Sequence, residues 1–203
     1  MTRLVLIRHG EQEAAARGRC YGSLDIGLSP AGEAQAHRLA HALSELELTA
    51  VISSPLRRAV RTAEPIAAAH GLTVAVNEAL CELDFGQLEG RSFDEVAATE
   101  PELYQQWMTD PTTVVFPGGE SFHDLHRRTL RAVDELRAAH ADQTIVLVTH
   151  GGVIRAIVAD ALGLQAKRIF QLAVEPARLS VLDWTTASVV LQQLNGRCWP
   201  YPG

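Results

Sequence analysis

The chain has 203 residues, of which 47% are hydrophobic and 21% are charged, and its formal net charge is −6. This composition is typical of a globular protein with enough apolar side chains for a sizeable core, and the length favours a single domain. The acidic balance argues against nucleic acid as the main partner, because a phosphate backbone is bound by a basic face.

The three cysteines lack CxxC spacing, and their odd number favours a reduced cytoplasmic protein over a disulfide framework. They are Cys20, Cys81 and Cys198. The apolar run at residues 4–7 is too short for a signal peptide core or a membrane span, so we expect no membrane attachment. The residues leave the oligomeric state open, and a homodimer would form through a sheet edge or an exposed helix.

Strand and helix signals alternate along the chain. Apolar runs predict strands at residues 4–7, 50–53, 73–76 and 144–149, followed by a late hairpin at 178–184 and 188–194. Periodicity predicts helices at residues 30–46, 56–70, 102–108, 120–140 and 153–162. Ser29 and Pro30 are typical of a helix start, and the spacing of Ser92 and Glu95 predicts a capping box that opens one more short helix.

This alternation predicts an α/β fold in which a mainly parallel sheet carries helices on both faces, a three-layer α/β/α sandwich. We expect residues 1–203 to form one domain. The stretch from about residue 92 to residue 117 interrupts the alternation, and we interpret it as an insertion over the sheet. The final CWPYPG is predicted to be a frayed or surface-packed tail.

Two of the predicted strands end in the same way. LVLIRHG at residues 4–10 and IVLVTHGG at residues 145–152 are apolar runs followed by His-Gly. If both strands are central and parallel, His9 and His150 lie at the same edge of the sheet, where open α/β sheets bind ligands. The glycines let the backbone approach a bound group closely.

Two further segments lead to the same edge. SSPLRRAVRTA at residues 53–63 carries arginines, and CELDFGQLEG at residues 81–90 carries carboxylates. A neutral imidazole is a nucleophile near neutral pH, a guanidinium grips phosphate oxygens, and a carboxylic acid protonates a leaving alkoxide. These groups in one cleft predict phosphoryl transfer through a phosphohistidine.

The four segments, in this order, resemble the histidine phosphatase superfamily, which contains cofactor-dependent phosphoglycerate mutases and related phosphatases. The resemblance implies that His9 is the phosphorylated nucleophile and that Arg8 and Arg58 hold the phosphoryl oxygens. It also implies that His150 donates to those oxygens and that Glu82 is the general acid and base. A metal-independent phosphatase of the acid type, without a cofactor, would follow.

The motif positions select among neighbouring candidates. The family pattern S-x-L-x-R-A favours Arg58 over Arg57, and position within ELDFGQLEG favours Glu82 over Asp84 and Glu89. No metal site is predicted, because the helical pair His37 and His41 has no neighbour that would complete one.

The resemblance also implies contacts with the substrate. The backbone N–H of Gly151 would contact the phosphate. Three consecutive residues would line the entrance near the leaving group, namely Tyr21, Gly22 and Ser23. Many members carry an asparagine a few residues after RHGE, where this chain has Ala14 and Ala15. Either another donor such as Gln12 replaces it, or phosphate binding is weaker.

The phosphatase hypothesis competes with two others, a phosphoglycerate mutase and a non-catalytic module that binds a phosphorylated ligand. Mutases of the family carry E-R-H-Y-G and a basic insertion, whereas this chain has Leu83 and Asp84 and no Arg-rich insertion. Retention of every catalytic group disfavours the binding module. We therefore expect a phosphomonoesterase acting on a small phosphorylated metabolite. GRCYGSLDIGLSPAGEAQA, ELDFGQLEG and FPGGESF resemble α-ribazole phosphatases, so α-ribazole 5'-phosphate is a candidate substrate.

Other polar and aromatic residues have plainer interpretations. His123 and His126 are predicted on the surface of the long helix, with His123 as a minor candidate for the cleft. Trp107 and Trp184 are predicted to pack in the core or at its rim. The arginines of the same helix are predicted to form a solvated face, and they are Arg127, Arg128 and Arg131.

Overall fold

The structure, a computed structural model, describes residues 1–197, and the predicted CWPYPG tail lies outside them. Within this range six strands form one sheet. They are β1 (Thr2–Arg8), β2 (Ala50–Ser53), β3 (Val74–Val76), β4 (Thr144–Thr149), β5 (Leu179–Trp184) and β6 (Val189–Gly196). Their order is β3-β2-β4-β1-β5-β6.

The sheet is mainly parallel, as predicted. β1 and β2 both pair in parallel with β4, and β3 pairs in parallel with β2. The late strands β5 and β6 form the predicted antiparallel hairpin, and β5 pairs antiparallel with β1. The central pair β1 and β4 therefore delivers its two carboxyl ends side by side, with Arg8 opposite Thr149.

Six α-helices accompany these strands in the described residues. They are α1 (Pro30–Leu43), α2 (Arg57–Ala69), α3 (Phe93–Thr99), α4 (Pro101–Thr109), α5 (Phe122–Ala139) and α6 (Gly151–Ala161). The predicted caps are present, since the Ser29 side chain accepts from the Gly32 N–H at 3.0 Å and Ser92 forms a capping box with Glu95.

Two helix starts differ from the prediction by two residues. α5 begins at Phe122 because Ser121 caps it in a second capping box with Asp124. α6 begins at Gly151, two residues earlier than predicted, since His150 is itself the N-cap residue. The first turn of α6 therefore lies directly beside the end of β4, and its backbone N–H groups face the same edge of the sheet.

Helices cover both faces of the sheet, which confirms the three-layer sandwich. On one face, Val5 and Ile7 pack with Leu39 of α1 and Ile66 of α2. The alternate residues of β1, Leu4 and Leu6, face the opposite side of the sheet, where they pack with residues of α5 and α6. Both faces are buried, and for this reason the central strands are apolar at every position of residues 4–7 and 145–148.

A small third core lies beyond the sheet and contains side chains from α3, from α4 and from segments before and after these helices. Its members include Cys20, Leu88, Val96, Trp107, Val114 and Phe116. Trp107 is 9% exposed, whereas Trp184 is partly exposed, with the Arg137 guanidinium 4.9 Å from its ring centroid. No helix among residues 1–197 is long and apolar enough to cross a membrane.

Candidate active site

His9 directly follows β1 and is only 2% exposed. Its backbone N–H donates to the Thr149 carbonyl at 2.9 Å, which fixes the residue against β4. Its Nδ1 lies 2.7 Å from the Gly10 carbonyl oxygen. A carbonyl only accepts, so Nδ1 carries the proton and the neutral ring keeps its lone pair on Nε2. Nε2 is therefore the nitrogen with a free lone pair.

His150 stands at the end of the neighbouring strand, and the two imidazole ring centroids are 5.1 Å apart. Its Nε2 lies 2.8 Å from the Ser54 hydroxyl oxygen, which comes from the turn after β2. Its Nδ1 is buried without a hydrogen-bond partner among the described residues. A buried polar atom of this kind marks a place where a ligand group completes the hydrogen bonding.

Both histidines are held neutral. Burial, followed by the charges of Arg58 and Arg8, lowers the pKa of His9 well below its ordinary value. Burial and the Arg58 charge lower the pKa of His150 well below its ordinary value too, with smaller contributions from His9 and Arg8. A neutral His9 is competent to attack an electrophile at neutral and mildly acidic pH.

Two arginines surround the histidines and are oriented by backbone carbonyls. Arg58, fully buried in the first turn of α2, donates from Nη1 to Leu24 at 2.7 Å and from Nη2 to Gly22 at 2.8 Å. Arg8 donates from Nη1 to the Val174 carbonyl at 2.6 Å. Carbonyls fix the geometry without forming an ion pair, so both guanidinium groups are oriented to bind a phosphate dianion.

Glu82 reaches the first turn of α6. Its Oε2 accepts from the Gly152 N–H at 3.1 Å, and its Oε1 accepts from the Leu83 N–H at 3.0 Å. A Cβ at position 152 would lie 2.3 Å from Glu82 Oε1, so the glycine leaves room for the carboxylate in this position. The two competing carboxylates have other partners, since Asp84 accepts from Gly86 at 2.9 Å and Glu89 accepts from Gly22 at 3.0 Å.

The prediction of a solvated arginine face on α5 is wrong for Arg128. Its Nη1 donates at 2.8 Å to the carbonyls of both Ala79 and Cys81, and its Nη2 donates at 3.0 Å to the carbonyl of Glu82. Its Nε donates to the Glu120 carboxylate at 3.0 Å. The helical period alone gave no sign of these contacts, because their acceptors lie on a segment 46 to 49 residues earlier in the chain.

A cavity of about 310 Å³ collects most of these groups. Its charged and polar lining comprises Arg8, His9, Arg58, Glu82 and Arg155, together with Arg19 and Tyr21 at one side. Arg155 was not among the predicted residues. It is four residues after Gly151, and its guanidinium lies over that glycine, where a Cβ would be 2.9 Å from Arg155 Nη1. The helix start at Gly151 is the signal that would have placed Arg155 on this face.

The predicted substrate-binding residues divide into two groups. Tyr21 lines the cavity, and its ring centroid lies 5.4 Å from the Arg58 guanidinium. Gln12 donates to the Tyr21 hydroxyl. Gly22 and Ser23 are not among the lining residues of the cavity. Their backbone N–H groups donate to the Glu89 carboxylate at 3.0 Å and 2.9 Å.

Cys20 is a second candidate nucleophile in the cavity, but its thiol is protonated. Cys20 lines the cavity, but burial and the nearby Glu89 raise its pKa to about 11, so it stays a neutral thiol at physiological pH.

The remaining histidines of the sequence analysis lie outside this cavity. His37 and His41 are exposed on α1, and His126 lies 3.6 Å from Asp160. His123 is exposed and lines a separate cavity with His126, away from His9. Residues 1–197 hold no cluster of three or more His, Cys, Asp or Glu side chains that could bind a metal ion.

The fold and the site together define an α/β protein with an anion-binding pocket built around two neutral histidines. The chain belongs to the histidine phosphatase superfamily (branch 1), whose family model matches residues 4–197.

Similar proteins share nearly the whole chain. Phosphoserine phosphatase 1 of Hydrogenobacter thermophilus is 35% identical over 98% of this chain and 94% of its own length. The crystal structure of a putative α-ribazole-5'-P phosphatase from Escherichia coli superimposes with a TM-score of 0.91 at 29% identity, covering 98% of each chain. A mycobacterial glucosyl-3-phosphoglycerate phosphatase complexed with VO3 gives a TM-score of 0.85 at 31% identity, covering 96% of this chain and 99% of the other.

Proposed function

We propose that this protein is a phosphomonoesterase that removes the phosphoryl group from a small phosphorylated metabolite through a phosphohistidine at His9. The observation that carries the proposal is the Nδ1 contact of His9 with the Gly10 carbonyl at 2.7 Å, which leaves Nε2 as a neutral nucleophile beside Arg8 and Arg58. The phosphatase names of the similar proteins support it.

In the first step, His9 Nε2 attacks phosphorus and the bond between phosphorus and the ester oxygen breaks. Glu82, in its acid form, gives its proton to the departing alkoxide, which leaves as an alcohol. Arg8 and Arg58 balance the negative charge of the phosphoryl oxygens during the transfer. The Nδ1–H of His150 donates a hydrogen bond to the same oxygens.

In the second step, Glu82 as a carboxylate takes a proton from water, and the resulting oxygen nucleophile attacks phosphorus. The phosphorus–nitrogen bond breaks, and His9 returns to its neutral form with Nδ1 still donating to Gly10. Inorganic phosphate leaves, and the enzyme regains its starting protonation. The nucleophile and the charge compensation come from side chains of this chain, which supports an acid-type, metal-independent mechanism.

Hydrolysis is favoured over mutase chemistry by the charge of the segment above the site. Residues 92–117 contain five carboxylates and no arginine or lysine, so this segment offers no cation to hold a phosphoglycerate carboxylate. Leu83, in the position of a mutase arginine, lines the cavity as an apolar side chain. We propose one catalytic domain in which residues 92–117 form an insertion over the active-site edge. α-Ribazole 5'-phosphate stays a candidate substrate.

The test is phosphate release from p-nitrophenyl phosphate with and without EDTA, by the natural chain and by His9→Ala. We expect turnover that EDTA leaves unchanged and that His9→Ala abolishes. His37→Ala, an exposed histidine on α1, is the matched control and should retain full activity. Rapid acid-free quenching and mass spectrometry should find a phosphoryl adduct on the peptide that contains His9. Turnover by His9→Ala equal to that of the natural chain would refute the proposal.

A further inference from the structure

The two ends of the active-site cavity differ in chemistry. The buried end carries the catalytic histidine and the arginines that flank it. The exposed end is lined by apolar and aromatic side chains, namely Phe85, Phe93, Trp107, Pro111, Phe122 and Phe170. A phosphoryl group bound at His9 therefore places the remainder of its ester against an aromatic wall.

Trp107 forms the rigid part of this wall. Its ring centroid lies 5.1 Å from that of Phe116, 5.3 Å from that of Phe85 and 5.6 Å from that of Phe93. Only 9% of Trp107 is exposed, so three neighbouring rings fix its orientation before any ligand arrives. A wall that is already ordered binds a flat apolar group with little loss of side-chain entropy.

Phe93 and Phe170 form the open part of the wall, and they are 39% and 52% exposed. They come from separate segments, the start of α3 and the 3-10 turn at Ala166–Gln171, yet both border the same cavity. Aromatic rings that converge on a cavity mouth while remaining open to water gain free energy when an apolar group covers them.

The cations of the cavity do not suit a leaving group that bears a carboxylate. Arg19, on the exposed side, donates to the Gly90 carbonyl at 2.8 Å and lies 3.7 Å from the Glu95 carboxylate. Arg155 lies closer to the buried end, beside Arg8, and its guanidinium is 5.6 Å from the Phe170 ring centroid. Arg19 is thus paired with a carboxylate, and Arg155 lies between Arg8 and Phe170, so the unpaired positive charge is concentrated toward the phosphoryl position.

From this division, and resting on the phosphatase activity proposed above, we infer that the exposed end is a subsite for an apolar leaving group that carries an aromatic ring. The cavity volume of about 310 Å³ lies at the small end of the range of about 300–1,000 Å³ for small-molecule sites. It suits a phosphoryl group with one compact ring system. Esters whose leaving group is a small amino acid or hydroxy acid leave the aromatic wall uncovered.

The experiment compares primary alkyl phosphates, whose leaving alkoxides react similarly: ethyl phosphate, 2-phenylethyl phosphate, O-phosphoserine and 3-phosphoglycerate. We expect kcat/KM for 2-phenylethyl phosphate to exceed that for each of the others by about tenfold or more, because its phenyl ring is buried against the aromatic wall. In Phe93→Ala and in Phe170→Ala the ratio of kcat/KM for 2-phenylethyl phosphate to that for ethyl phosphate should fall severalfold. Val190→Ala, an exposed apolar residue on β6, should keep the ratio of the natural chain.

A preference for O-phosphoserine or 3-phosphoglycerate, or a ratio untouched in both phenylalanine variants, would overturn the inference while leaving the phosphatase proposal intact. Phosphate release from none of the esters would instead refute the phosphatase proposal. If no ester is hydrolysed, the subsite is tested by measuring the dissociation constants of 3-phenylpropylphosphonate and propylphosphonate by calorimetry, which requires no turnover. Equal dissociation constants for the two phosphonates would overturn the subsite, and tighter binding of the phenyl compound would support it.

Discussion

The Nη2 atom of Arg128 donates to the backbone carbonyl of Glu82 at 3.0 Å, which ties helix α5 to the carboxylate proposed as general acid. The same guanidinium holds the carbonyls of Ala79 and Cys81, both at 2.8 Å. Glu120 completes the arrangement, since it accepts from Arg128 Nε at 3.0 Å and from the Asp84 N–H at 3.2 Å. The segment that carries Glu82 has little regular structure of its own, so these bonds determine where its carboxylate lies.

We therefore predict that Arg128→Gln lowers kcat about 10- to 100-fold with a smaller change in KM, because a displaced general acid affects the chemical step more than phosphate binding. Arg128→Lys should recover part of the loss. Arg131→Gln is the control on the same helix, because its side chain is 83% exposed and pairs with the exposed Glu135. Steady-state kinetics across pH would check the prediction, and an unchanged kcat in Arg128→Gln would contradict it.

The pH profile provides a second prediction. Attack requires neutral His9, and burial with the charges of Arg58 and Arg8 lowers its pKa well below the ordinary value of 6.5. Since a lowered pKa keeps the imidazole deprotonated to lower pH, the acid limb of kcat/KM should lie clearly below pH 6.5. Glu82 must be protonated to assist the leaving group, so activity should also fall toward alkaline pH. An acid limb centred at or above pH 6.5 would contradict the lowered pKa of His9.

Stability should depend on the same two histidines. In the folded state His9 and His150 stay neutral as pH falls, whereas in the unfolded chain each takes up a proton near the ordinary pKa of 6.5. The unfolded state then binds more protons, so the free energy of unfolding decreases as pH falls below about 6.5, by about 1.4 kcal/mol per pH unit for each histidine. Urea denaturation at pH 7.5, 6.5 and 5.5 would measure this. His150→Asn should show a shallower decrease than the natural chain; an identical slope would contradict the assignment.

Ser54 offers a prediction about the tautomer of His150. For its Nδ1 to donate to a phosphoryl oxygen, a neutral His150 must accept at Nε2, where the Ser54 hydroxyl lies at 2.8 Å. Ser54→Ala should lower kcat/KM about tenfold and destabilise the fold by about 1–3 kcal/mol, because a buried nitrogen loses its partner. Nitrogen NMR shifts of the imidazole would report the tautomer. Ser44→Ala, at the exposed end of α1, is the control and should change neither property.

Much of this protein is determined by its sequence. The strand and helix order, the caps at Ser29 and Ser92, and the edge at which His9 and His150 meet all follow from it. Hydrophobic periodicity and capping act over a few residues, and a polar residue that directly follows a buried strand has its position fixed by that strand.

Only the tertiary structure decides the remainder. The contacts of Arg128 have no local signal in the sequence, and the aromatic wall joins Phe93 to Phe170 across 77 residues of chain. The roles of Arg128 and of the wall depend on contacts between segments whose relative placement is set by packing of the whole sheet and its helices. Local sequence patterns contain no information about such distances, and for this reason the orientation of the Glu82 carboxylate and the chemistry of the aromatic wall emerge only from the folded chain.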